Sequence, residues 1–566
     1  MATASYLFQR GPAPPRPAMT PRPAAQGEGR LSQIAAELGF ATESEEDALR
    51  AVGEAMGIPV IDVNSLEVDT ALLKTFPAKL IHRFNVLPVR VERGSLVTVV
   101  GNPLDLHALD AVGAAAGMSV LPVLAAPAEV ARLIKTYLGV GSETVDGLLA
   151  QQVARDGVEM LEDVEWDQSE DSQRAQEASV VRLVNEILVE AIEARASDIH
   201  LEAQAEGIKI RYRIDGVLQD QPAPAEINRF QAAIVSRLKI MARLNIAEKR
   251  VPQDGRIKLR VQGREVDIRV SIIPMLHGEG VVMRILDKDR MQFSLRGLGM
   301  DDEVYQRFQR LIQLPHGIIL VTGPTGSGKT TTLYSALSEI KDEKTKIITT
   351  EDPIEYQLSG INQIQVHPKV GLTFASSLRS ILRHDPDVIL VGEIRDLETA
   401  ENAVQASLTG HLVFSTLHTN DAAGAFLRLV DMGVEPFLVS STIEGVMAQR
   451  LVRTLCRECR QPWLPQRDDV PDDFPYDELL RRRERLFRPA GCRKCRGTGY
   501  SGRTGLYELL EATDEIRRLA SERTASHLVK QAAVRAGMRT LREDGWRKVR
   551  RGQTSIEEVL RVTKAD

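Results

Sequence analysis

The most specific chemical signal in the chain is the segment 323–330, which reads GPTGSGKT. It matches the phosphate-binding pattern G-x-x-x-x-G-K-[ST], with the apolar run IILV before it and a helical pattern after it. Glycines let backbone N–H groups approach phosphates closely, and the following helix presents its positive end to them. The pattern predicts that Lys329 reaches the β- and γ-phosphates of a nucleotide and that the Thr330 hydroxyl holds Mg²⁺. The predicted phosphate-binding residues are Gly323, Pro324, Thr325, Gly326, Ser327, Gly328, Lys329, Thr330 and Thr331.

Carboxylates follow two further apolar runs of the same region. TKIITTEDPIEY contains Glu351, Asp352 and Glu355, and PDVILVGEIRD contains Glu393. In an open parallel sheet ligands lie beyond the carboxyl ends of the strands, so we expect these acids to converge on the phosphate loop. Hydrolysis needs one carboxylate to activate water and another to hold the water shell of the metal. Ordinary strand-end acids are the alternative interpretation.

Histidines and arginines near these runs are further candidates. GHLVFSTLHTND carries His411 and His418, which point to opposite faces of a continuous strand, so at most one of them faces a γ-phosphate and we expect it to be His418. A core histidine is the alternative for each. LRSILRHDPD places Arg379 and Arg383 on one face of a predicted helix, and GEIRD contains Arg395. Such arginines stabilise charge on a transferring phosphoryl group, although a solvated helix face is also possible.

The chain has only four cysteines, which form two C-x₂-C pairs with 32 residues between them. Four thiolates make the tetrahedral set that a structural zinc prefers, with no open position for catalysis. The number is too small for a disulfide scaffold, which favours a reducing compartment. Buried free thiols or a redox pair are the alternatives, and we expect the spacer to contain its own short structure. The predicted zinc ligands are Cys456, Cys459, Cys492 and Cys495.

A cationic sheet face is predicted upstream of the phosphate loop. In IKIRYRI the period of two places Lys209, Arg211 and Arg213 on one face and apolar residues on the other. This face is either solvated or directed at phosphate charge. We predict a turn at Asp254-Gly255-Arg256, with Arg269 in the next strand.

Composition and patterning set the domain organisation. With 566 residues, 43% hydrophobic and 27% charged, the chain is expected to form several soluble domains, and a net charge of −6 argues against a globally basic nucleic-acid coat. No stretch of 18 apolar residues is present in the sequence. We predict a disordered Pro/Ala-rich leader (1–29), a small N-terminal partner-docking α/β domain (30–140), an acidic flexible linker (141–177), a second α/β domain (178–295), a parallel doubly wound domain (296–455), a tetracysteine subdomain (456–500) and a helical C-terminal subdomain (501–566).

Together these segments resemble the secretion ATPase superfamily, and within it the assembly ATPases of type II secretion systems. The resemblance begins at Ala196 and rests on RYRIDG, VPQDGR, DIRVS, GPTGSGKT, EDPIE, LRHDPDVILVGEIRD, TGHLVFSTLHTNDA, AQRLVRTLC, the cysteine pairs and GRTGLYELL. It implies an α/β fold in which a RecA-like P-loop ATPase domain follows a smaller α/β (PAS-like) domain, with a zinc-binding insertion and a helical C-terminal tail.

The resemblance also implies residue roles. Glu355 falls at the position of the water-activating carboxylate, Glu393 at that of the acid near Mg²⁺, and His418 in a histidine box. The domain at 178–295 is expected to fold over the nucleotide, so that ATP draws it onto the ATPase domain and hydrolysis releases it. The arginines implied to feel the phosphates are Arg256, Arg269, Arg379, Arg383 and Arg395.

The function implied by the resemblance is that of an ATP-hydrolysing motor with ATP, Mg²⁺ and Zn²⁺ as cofactors. It would form a homo-hexamer, cytoplasmic and peripheral at the inner membrane, and power pseudopilus assembly for export of folded proteins across the bacterial outer membrane. Its expected partners are the cytoplasmic domain of an inner-membrane platform protein and a polytopic platform protein. Membrane contact would be indirect, and nucleic acid is not expected.

Three other interpretations remain open from sequence. A type IV pilus assembly ATPase shares nearly every motif, a DNA-remodelling motor could use the same P-loop and cationic sheet, and a scaffold could bind ATP without hydrolysing it. In the first domain, RLSQIAAELGF resembles a cyclic di-GMP-binding pattern. Ser32 stands there in place of an expected glycine, which counts against that ligand.

Overall fold

The computed structural model describes residues 34–35, 40, 44–61, 63, 66, 68–138, 158–160, 177–287 and 293–564. The chain divides into two units, Met1–Asp146 and Gly147–Asp566. The predicted leader at 1–29 and the residue Ser32 lie outside the described residues.

The first unit contains a small mixed sheet with helices around it. Its strands β1 and β2 are antiparallel, β2 and β3 are parallel, and their buried residues form one apolar core with the helices. Side chains of Asp69 and Asp105 accept backbone N–H groups at the starts of two of the helices, as N-cap residues do. The elements are α1 (Glu45–Met56), α2 (Thr70–Thr75), α3 (Ala78–Phe84), β1 (Val86–Glu92), β2 (Ser95–Val100), α4 (Leu106–Ala116), β3 (Val120–Leu124) and α5 (Pro127–Leu138).

The second unit begins with a seven-stranded sheet in the order β4-β8-β9-β10-β5-β6-β7, in which all neighbours are antiparallel. Its strand β4 (Val158–Met160) lies inside the predicted linker and pairs with β8. We call this sheet the antiparallel sheet. Its other elements are α6 (Ala178–Glu193), β5 (Ala196–Gln204), β6 (Gly207–Ile214), β7 (Val217–Gln221), α7 (Gln231–Met241), β8 (Gln253–Val261), β9 (Arg264–Met275) and β10 (Gly278–Asp287).

Alternation in β6 produces the two faces that the sequence predicts. Ile210 and Tyr212 are buried, and the Tyr212 hydroxyl donates a 3.0 Å hydrogen bond to the carbonyl oxygen of Ile187 on α6. Lys209, Arg211 and Arg213 are half-buried on the other face. The helix therefore covers the apolar side. On the other side each cation pairs with a carboxylate of the same sheet, namely Lys209 with Asp220, Arg211 with Glu202 and Arg213 with Asp198.

A second seven-stranded sheet follows, in the order β13-β12-β14-β15-β11-β16-β19. All its neighbours are parallel except β16 and β19, and we call it the parallel sheet. Its elements up to β16 are α8 (Asp302–Ile312), β11 (Gly317–Thr322), α9 (Lys329–Ile340), β12 (Ile347–Glu351), β13 (Asn362–Gln365), α10 (Phe374–Ile381), β14 (Val388–Val391), α11 (Leu397–Leu408), β15 (Leu412–Leu417), α12 (Gly424–Asp431), α13 (Pro436–Thr442) and β16 (Ile443–Leu455).

Apolar packing on both faces explains the continuous hydrophobic runs of the parallel sheet. In β11, Ile318 and Leu320 belong to one core cluster, while Ile319 and Val321 belong to the cluster on the other face. A strand buried on both sides has no polar face to alternate with. The parallel, doubly wound architecture predicted from these runs is confirmed.

The tetracysteine segment contains β17 (Gln461–Trp463), α14 (Tyr476–Arg482) and β18 (Leu486–Arg488). The predicted helical tail begins differently, because Tyr500–Glu511 forms β19 and completes the parallel sheet beside β16. Four helices follow it, α15 (Asp514–Ser521), α16 (Ser526–Arg535), α17 (Leu541–Arg550) and α18 (Ile556–Val562). Among the helices that the structure describes, none has the length and apolar character that a membrane span requires.

Candidate nucleotide site and tetracysteine cluster

The phosphate loop connects the end of β11 to the start of α9. Gly323 and Gly328 have φ angles of 150° and 89°, which L side chains rarely adopt. A Cβ atom on Gly323 would lie 2.5 Å from the carbonyl oxygen of Gln449, and one on Gly328 would lie 2.8 Å from the Gln449 side-chain nitrogen. Glycine is therefore required at both positions, because strand β16 packs directly against the loop.

Lys329 lies over the loop that it would use to hold phosphate. Its Nζ donates to the carbonyl oxygens of Gly323 and Pro324, at 2.9 and 3.1 Å. Burial lowers the pKa of Lys329, while Glu393 opposes this shift and Arg450 adds to it. Thr330 is exposed at the first turn of α9, where its hydroxyl is available to a ligand.

Glu393, just after β14, meets a histidine and an arginine. Its Oε2 lies 3.3 Å from Nε2 of His418, and its Oε1 lies 2.6 Å from Nη2 of Arg395. The contact arises because β14 and β15 are parallel neighbours, with Val391 opposite Ser415, so that both strands end at the same edge.

The two histidines lie at opposite ends of a strand rather than within it. Strand β15 spans Leu412–Leu417, so His411 precedes it and His418 follows it. The Nδ1 of His411 lies 2.9 Å from the carbonyl oxygen of Ala406, at the end of α11 and far from the carboxyl edge of the strand. Because the turn at Gly410 ends before the strand begins, the prediction of one continuous strand through both histidines is wrong.

Glu355 is paired with an arginine of the antiparallel sheet. Its Oε2 lies 2.8 Å from Nη1 of Arg269, and Nη2 of Arg269 donates to the carbonyl oxygen of Ile354 at 2.7 Å. The two side chains are only 25% and 18% exposed, so the pair is partly shielded from water. The two sheets thus meet at the residue that follows the EDPI segment.

Arg269 belongs to a row of charged side chains that runs across five strands. The directly opposed residues are Arg256 on β8, Arg269 on β9, Arg284 on β10, Asp198 on β5 and Arg213 on β6. Directly opposed residues share one face of a sheet, so we call this set the arginine row. Its first four members help to line a cleft of about 390 Å³ that also contacts Pro353.

The prediction of a turn at Asp254-Gly255-Arg256 is wrong, because these residues lie in strand β8. A Cβ atom on Gly255 would lie 2.6 Å from the carbonyl oxygen of Ala242. The glycine therefore allows a close approach between strand β8 and the backbone at the end of α7, rather than a change of chain direction.

Glu351 does not face the nucleotide crevice as expected. It is buried at the end of β12, where it accepts hydrogen bonds from Thr349 Oγ1 at 2.6 Å and Gln363 Nε2 at 3.1 Å. The Tyr334 hydroxyl of α9 also donates to it. These bonds direct the carboxylate into the core, because strand alternation turns its side chain away from the sheet edge.

Arg379 and Arg383 do not share a helical face, because α10 ends at Ile381. The helix ends four residues before Asp385, which precedes a proline and has a φ of 51°. Arg379 pairs with Glu398 at the start of α11, and Arg383 donates to the carbonyl oxygen of Arg379 at 2.8 Å. Within the described part of the chain, neither arginine bonds to the phosphate loop.

Sequence reasoning missed two residues of β16 beside the loop. Oε1 of Gln449 accepts a 2.7 Å hydrogen bond from Thr332 Oγ1 on α9, and Nη2 of Arg450 donates to the carbonyl oxygen of Asn420 at 2.9 Å. Burial lowers the pKa of Arg450. They follow Ala448, which lies opposite Thr322 in the sheet. The available signal was the AQR segment, in which polar residues follow an apolar run in the middle of β16.

The four cysteine sulfurs form one compact cluster in the described residues. All four lie within 4.8 Å of one another, with separations of 3.8 Å for Cys456–Cys492, 3.8 Å for Cys459–Cys495 and 3.7 Å for Cys492–Cys495. A tetrahedral zinc with bonds of about 2.3 Å places its sulfurs about 3.8 Å apart. The backbone N–H groups of Cys492 and Gly499 both donate to Cys495 at 3.1 Å. The cluster therefore fits zinc in ligand type, number and spacing.

Comparison with known proteins decides the family. The type II/IV secretion system protein family matches residues 173–561, and the MshEN domain matches residues 56–144. The chain belongs to the type II/IV secretion system protein family. It is 46% identical over 537 residues to type II secretion system protein E of Xanthomonas campestris pv. campestris, covering 92% of this chain and 91% of that protein. It is 52% identical over 403 residues to type II secretion system ATPase E of Vibrio cholerae, covering 71% and 78%.

A pilus protein is also similar. The type IV pilus assembly ATPase PilB of Myxococcus xanthus is 42% identical over 513 residues, covering 90% of each chain. Secretion and pilus ATPases thus share this architecture, and family membership makes the chain an ATP-hydrolysing enzyme. The fold class predicted from sequence, an α/β ATPase domain after a smaller α/β domain with C-terminal helices, is confirmed.

Proposed function

We propose that this chain is the ATP-hydrolysing motor of a type II secretion system and powers pseudopilus assembly for export of folded proteins across the outer membrane. The observation that carries the proposal is the convergence at one edge of the parallel sheet of Lys329, Glu393 and the Glu355–Arg269 pair. This edge offers cations that can bind phosphates and carboxylates that can bind a metal ion or activate water. The chain is also 46% identical to a type II secretion system protein E over 92% of its length.

In this proposal Lys329 and the loop N–H groups hold the β- and γ-phosphates of ATP, and Thr330 and Glu393 hold Mg²⁺ directly or through water. The metal supplies charge neutralisation between the phosphates. His418 keeps Glu393 oriented through the contact at its Oε2, and Arg395 does so at its Oε1. Arg379 and Arg383 would act on phosphate only after leaving their local partners.

The Glu355–Arg269 pair supports a specific role for the antiparallel sheet. A carboxylate that forms a 2.8 Å ion pair with a guanidinium is held by that partner and is not free to orient a water molecule. A γ-phosphate entering the cleft carries more charge than Glu355 and competes for Arg269 and its neighbour Arg256. Release of Glu355 would then leave it free to activate water, so hydrolysis would follow only after the antiparallel sheet has engaged the nucleotide.

We propose that the tetracysteine cluster holds a structural zinc. The four-sulfur set leaves no coordination position for substrate. Metal binding there would tie the two ends of the segment together and support its packing on α17, where Phe474 meets Trp546 edge to face at 5.4 Å between ring centroids.

Zinc content and thermal unfolding test this role. Replacing Cys456 and Cys459 with serine should remove about one zinc per chain and lower the unfolding temperature, because the metal binds only the folded cluster. Arg457→Ala, in the same turn, serves as the control and should retain zinc. Full zinc content in the double serine variant would contradict the assignment.

We further propose a homo-hexameric ring, in the cytoplasm and peripheral at the inner membrane. The first unit would dock onto the cytoplasmic domain of an inner-membrane platform protein, and the ring would act on a polytopic platform protein. Membership in a family of secretion motors supports both points. Mass in solution with and without that cytoplasmic domain would test the ring and the docking together.

Gene deletion in the source organism tests the secretion role. Loss of secreted enzymes with normal surface pili would support a secretion motor, and rescue by the wild-type chain but not by Lys329→Ala would assign the defect to this ATPase. The similarity to PilB supports pilus assembly as the alternative, and loss of pili with normal secretion would favour it.

A further inference from the structure

The loop after β15 contacts three strands of the parallel sheet, at the end of β11 and within β16 and β19. This loop, residues 418–423, begins with His418, whose ring contacts Glu393. We call it the histidine loop. Its Thr419 backbone N–H donates to Thr322 Oγ1 of β11 at 2.9 Å, and the two threonine hydroxyls lie 2.7 Å apart. The loop is therefore attached first to the strand that leads into the phosphate loop.

The next attachments follow the order of the strands. Arg450 of β16 donates to the carbonyl oxygen of Asn420 at 2.9 Å, and the Ala422 N–H donates to Oε1 of Glu508 on β19 at 2.8 Å. Thr322 lies opposite Ala448 and Ala448 opposite Glu508, and Arg450 is two residues beyond Ala448, so the attachment points lie close together on three neighbouring strands. The path of the histidine loop is thus fixed by β11, β16 and β19 in turn.

Glu508 also holds a second backbone segment. Its Oε2 accepts a 3.2 Å hydrogen bond from the N–H of Leu541, the first residue of α17. The side chain is 1% exposed. Each carboxylate oxygen thus serves one donor, and a helix N-terminus favours the negative charge. A buried carboxylate placed between two N–H groups links the histidine loop to the C-terminal helices.

We infer that Glu508 is a positioning residue for ATP hydrolysis, which holds the histidine loop so that His418 meets Glu393 and which makes this geometry depend on α17. The inference rests on the roles proposed above for His418 and Glu393. It also assigns a function to β19, a strand that carries none of the nucleotide-site motifs.

The protonation state of Glu508 distinguishes a positioning role from a purely structural one, because only the positioning role makes kcat depend on the charge of this carboxylate. Burial raises the pKa of Glu508 to about 7, the Ala422 and Leu541 N–H groups and Lys530 lower it, and Asp421 raises it. Arg450 also interacts electrostatically with Glu508. Above this pKa both oxygens accept N–H groups, whereas below it one oxygen carries a proton.

The test compares Glu508→Gln with the wild-type full-length chain in steady-state phosphate release at pH 6 and pH 8. The amide presents a donor to one of the two N–H groups, so kcat at pH 8 should fall about fivefold, the effect of one lost hydrogen bond, with KM nearly unchanged. At pH 6 the ratio of the two kcat values should approach one. A ratio that is equal at both pH values would overturn the inference, because a purely structural loss does not titrate.

Two further variants complete the test. Glu511→Gln, three residues along β19 and paired with Arg307, is the matched control and should behave as wild type. If Glu508→Gln does not fold, Glu508→Asp replaces it and should keep the pH dependence with a smaller loss of kcat. Wild-type kcat in Glu508→Asp would then overturn the inference.

A double-variant cycle separates this inference from the role proposed for His418. If Glu508 acts through the histidine loop, Glu508→Gln should reduce kcat less in a His418→Ala background than in the wild-type background. Equal reductions in both backgrounds would show that Glu508 does not act through His418. Full activity of His418→Ala alone would instead contradict the role proposed for His418. The inference about Glu508 would then be tested by the kcat ratio of Glu508→Gln and wild type at pH 6 and pH 8.

Discussion

The two seven-stranded sheets present functional groups in different ways. In the parallel sheet the groups proposed to act on the nucleotide follow the strands, in the loops after β11, β12, β14 and β15, and these four strands are buried. In the antiparallel sheet they lie within the strands, where the arginine row crosses five of them. The parallel sheet therefore places chemistry at an edge, and the antiparallel sheet places it on a face.

This difference suggests that the two sheets have different functions. An edge collects groups from several loops around one point, which suits bond breaking at a single phosphorus atom. A face carries several charged groups along a line. In the arginine row four arginines suit contact with an extended anion, while Asp198 lies between Arg284 and Arg213 and pairs with both. The two arrangements meet at the Glu355–Arg269 pair, so substitutions on either side of that pair test whether edge and face contribute differently.

The largest effect is expected at the edge. Lys329→Ala removes the cation of the phosphate loop and should reduce turnover at least about 10⁴-fold, because charge on the phosphates then has no partner at that point. Steady-state phosphate release measures the loss. Thermal unfolding of the variant should match the wild type, because Lys329 contacts only loop carbonyls in the described residues, and a large drop in unfolding temperature would contradict this.

Glu355→Gln should separate binding from hydrolysis. Loss of the proposed base should reduce kcat about 10³-fold, while binding of a fluorescent ATP analogue stays within a few-fold of the wild type. Glu401→Gln, an exposed carboxylate on α11, is the control with full activity expected. Retained hydrolysis in the Glu355 variant would exclude this residue as the base and leave the edge without a water-activating group.

Substitutions along the arginine row should have smaller, graded effects. Arg269→Gln should reduce kcat about tenfold, because it removes one charged contact to phosphate while the loop remains intact. The control is Arg260→Gln, which lies on β8 but pairs with Glu265. A loss as large as that of Lys329→Ala would mean that face and edge are not separable.

The smallest effect is expected at the far end of the row. Arg213 lies on β6, three strands from Arg269, and screening by salt weakens its action on phosphate. Arg213→Gln should change kcat less than about threefold at physiological ionic strength. Phosphate release at low and high salt would check this, and a loss equal to that of Arg269→Gln would indicate that the whole row contacts one extended ligand.

Sequence alone predicted the features that depend on local spacing. The phosphate loop, the two faces of β6 and the cysteine pairs are each defined by residues close together in the chain. Glu351 shows where prediction from local spacing fails. Its position at a strand end predicted a side chain in the nucleotide crevice, but hydrogen bonds from Tyr334 and Gln363 hold it in the core.

Long-range pairing accounts for most of what sequence missed. Gln449, Arg450 and Glu508 reach the site only because β16 and β19 lie in the same sheet as β11, and the residues around each of them in the chain do not reveal these strand pairings. The turn predicted at Gly255 was wrong for a related reason. This glycine allows the backbone to pass close to Ala242, which lies thirteen positions earlier in the chain.

The ladder between β16 and β19 has one more implication. Leu455 and Tyr500 face each other at its end, so the whole cysteine-bearing segment is a hairpin loop that has grown between two neighbouring strands. A tight turn could join β16 to β19 directly, so the topology of the parallel sheet does not require the segment. Its excision would uncover Trp546 and Val549, which it covers with Phe474 and Leu479. A shorter protein of this design would therefore need polar residues at those two positions of α17.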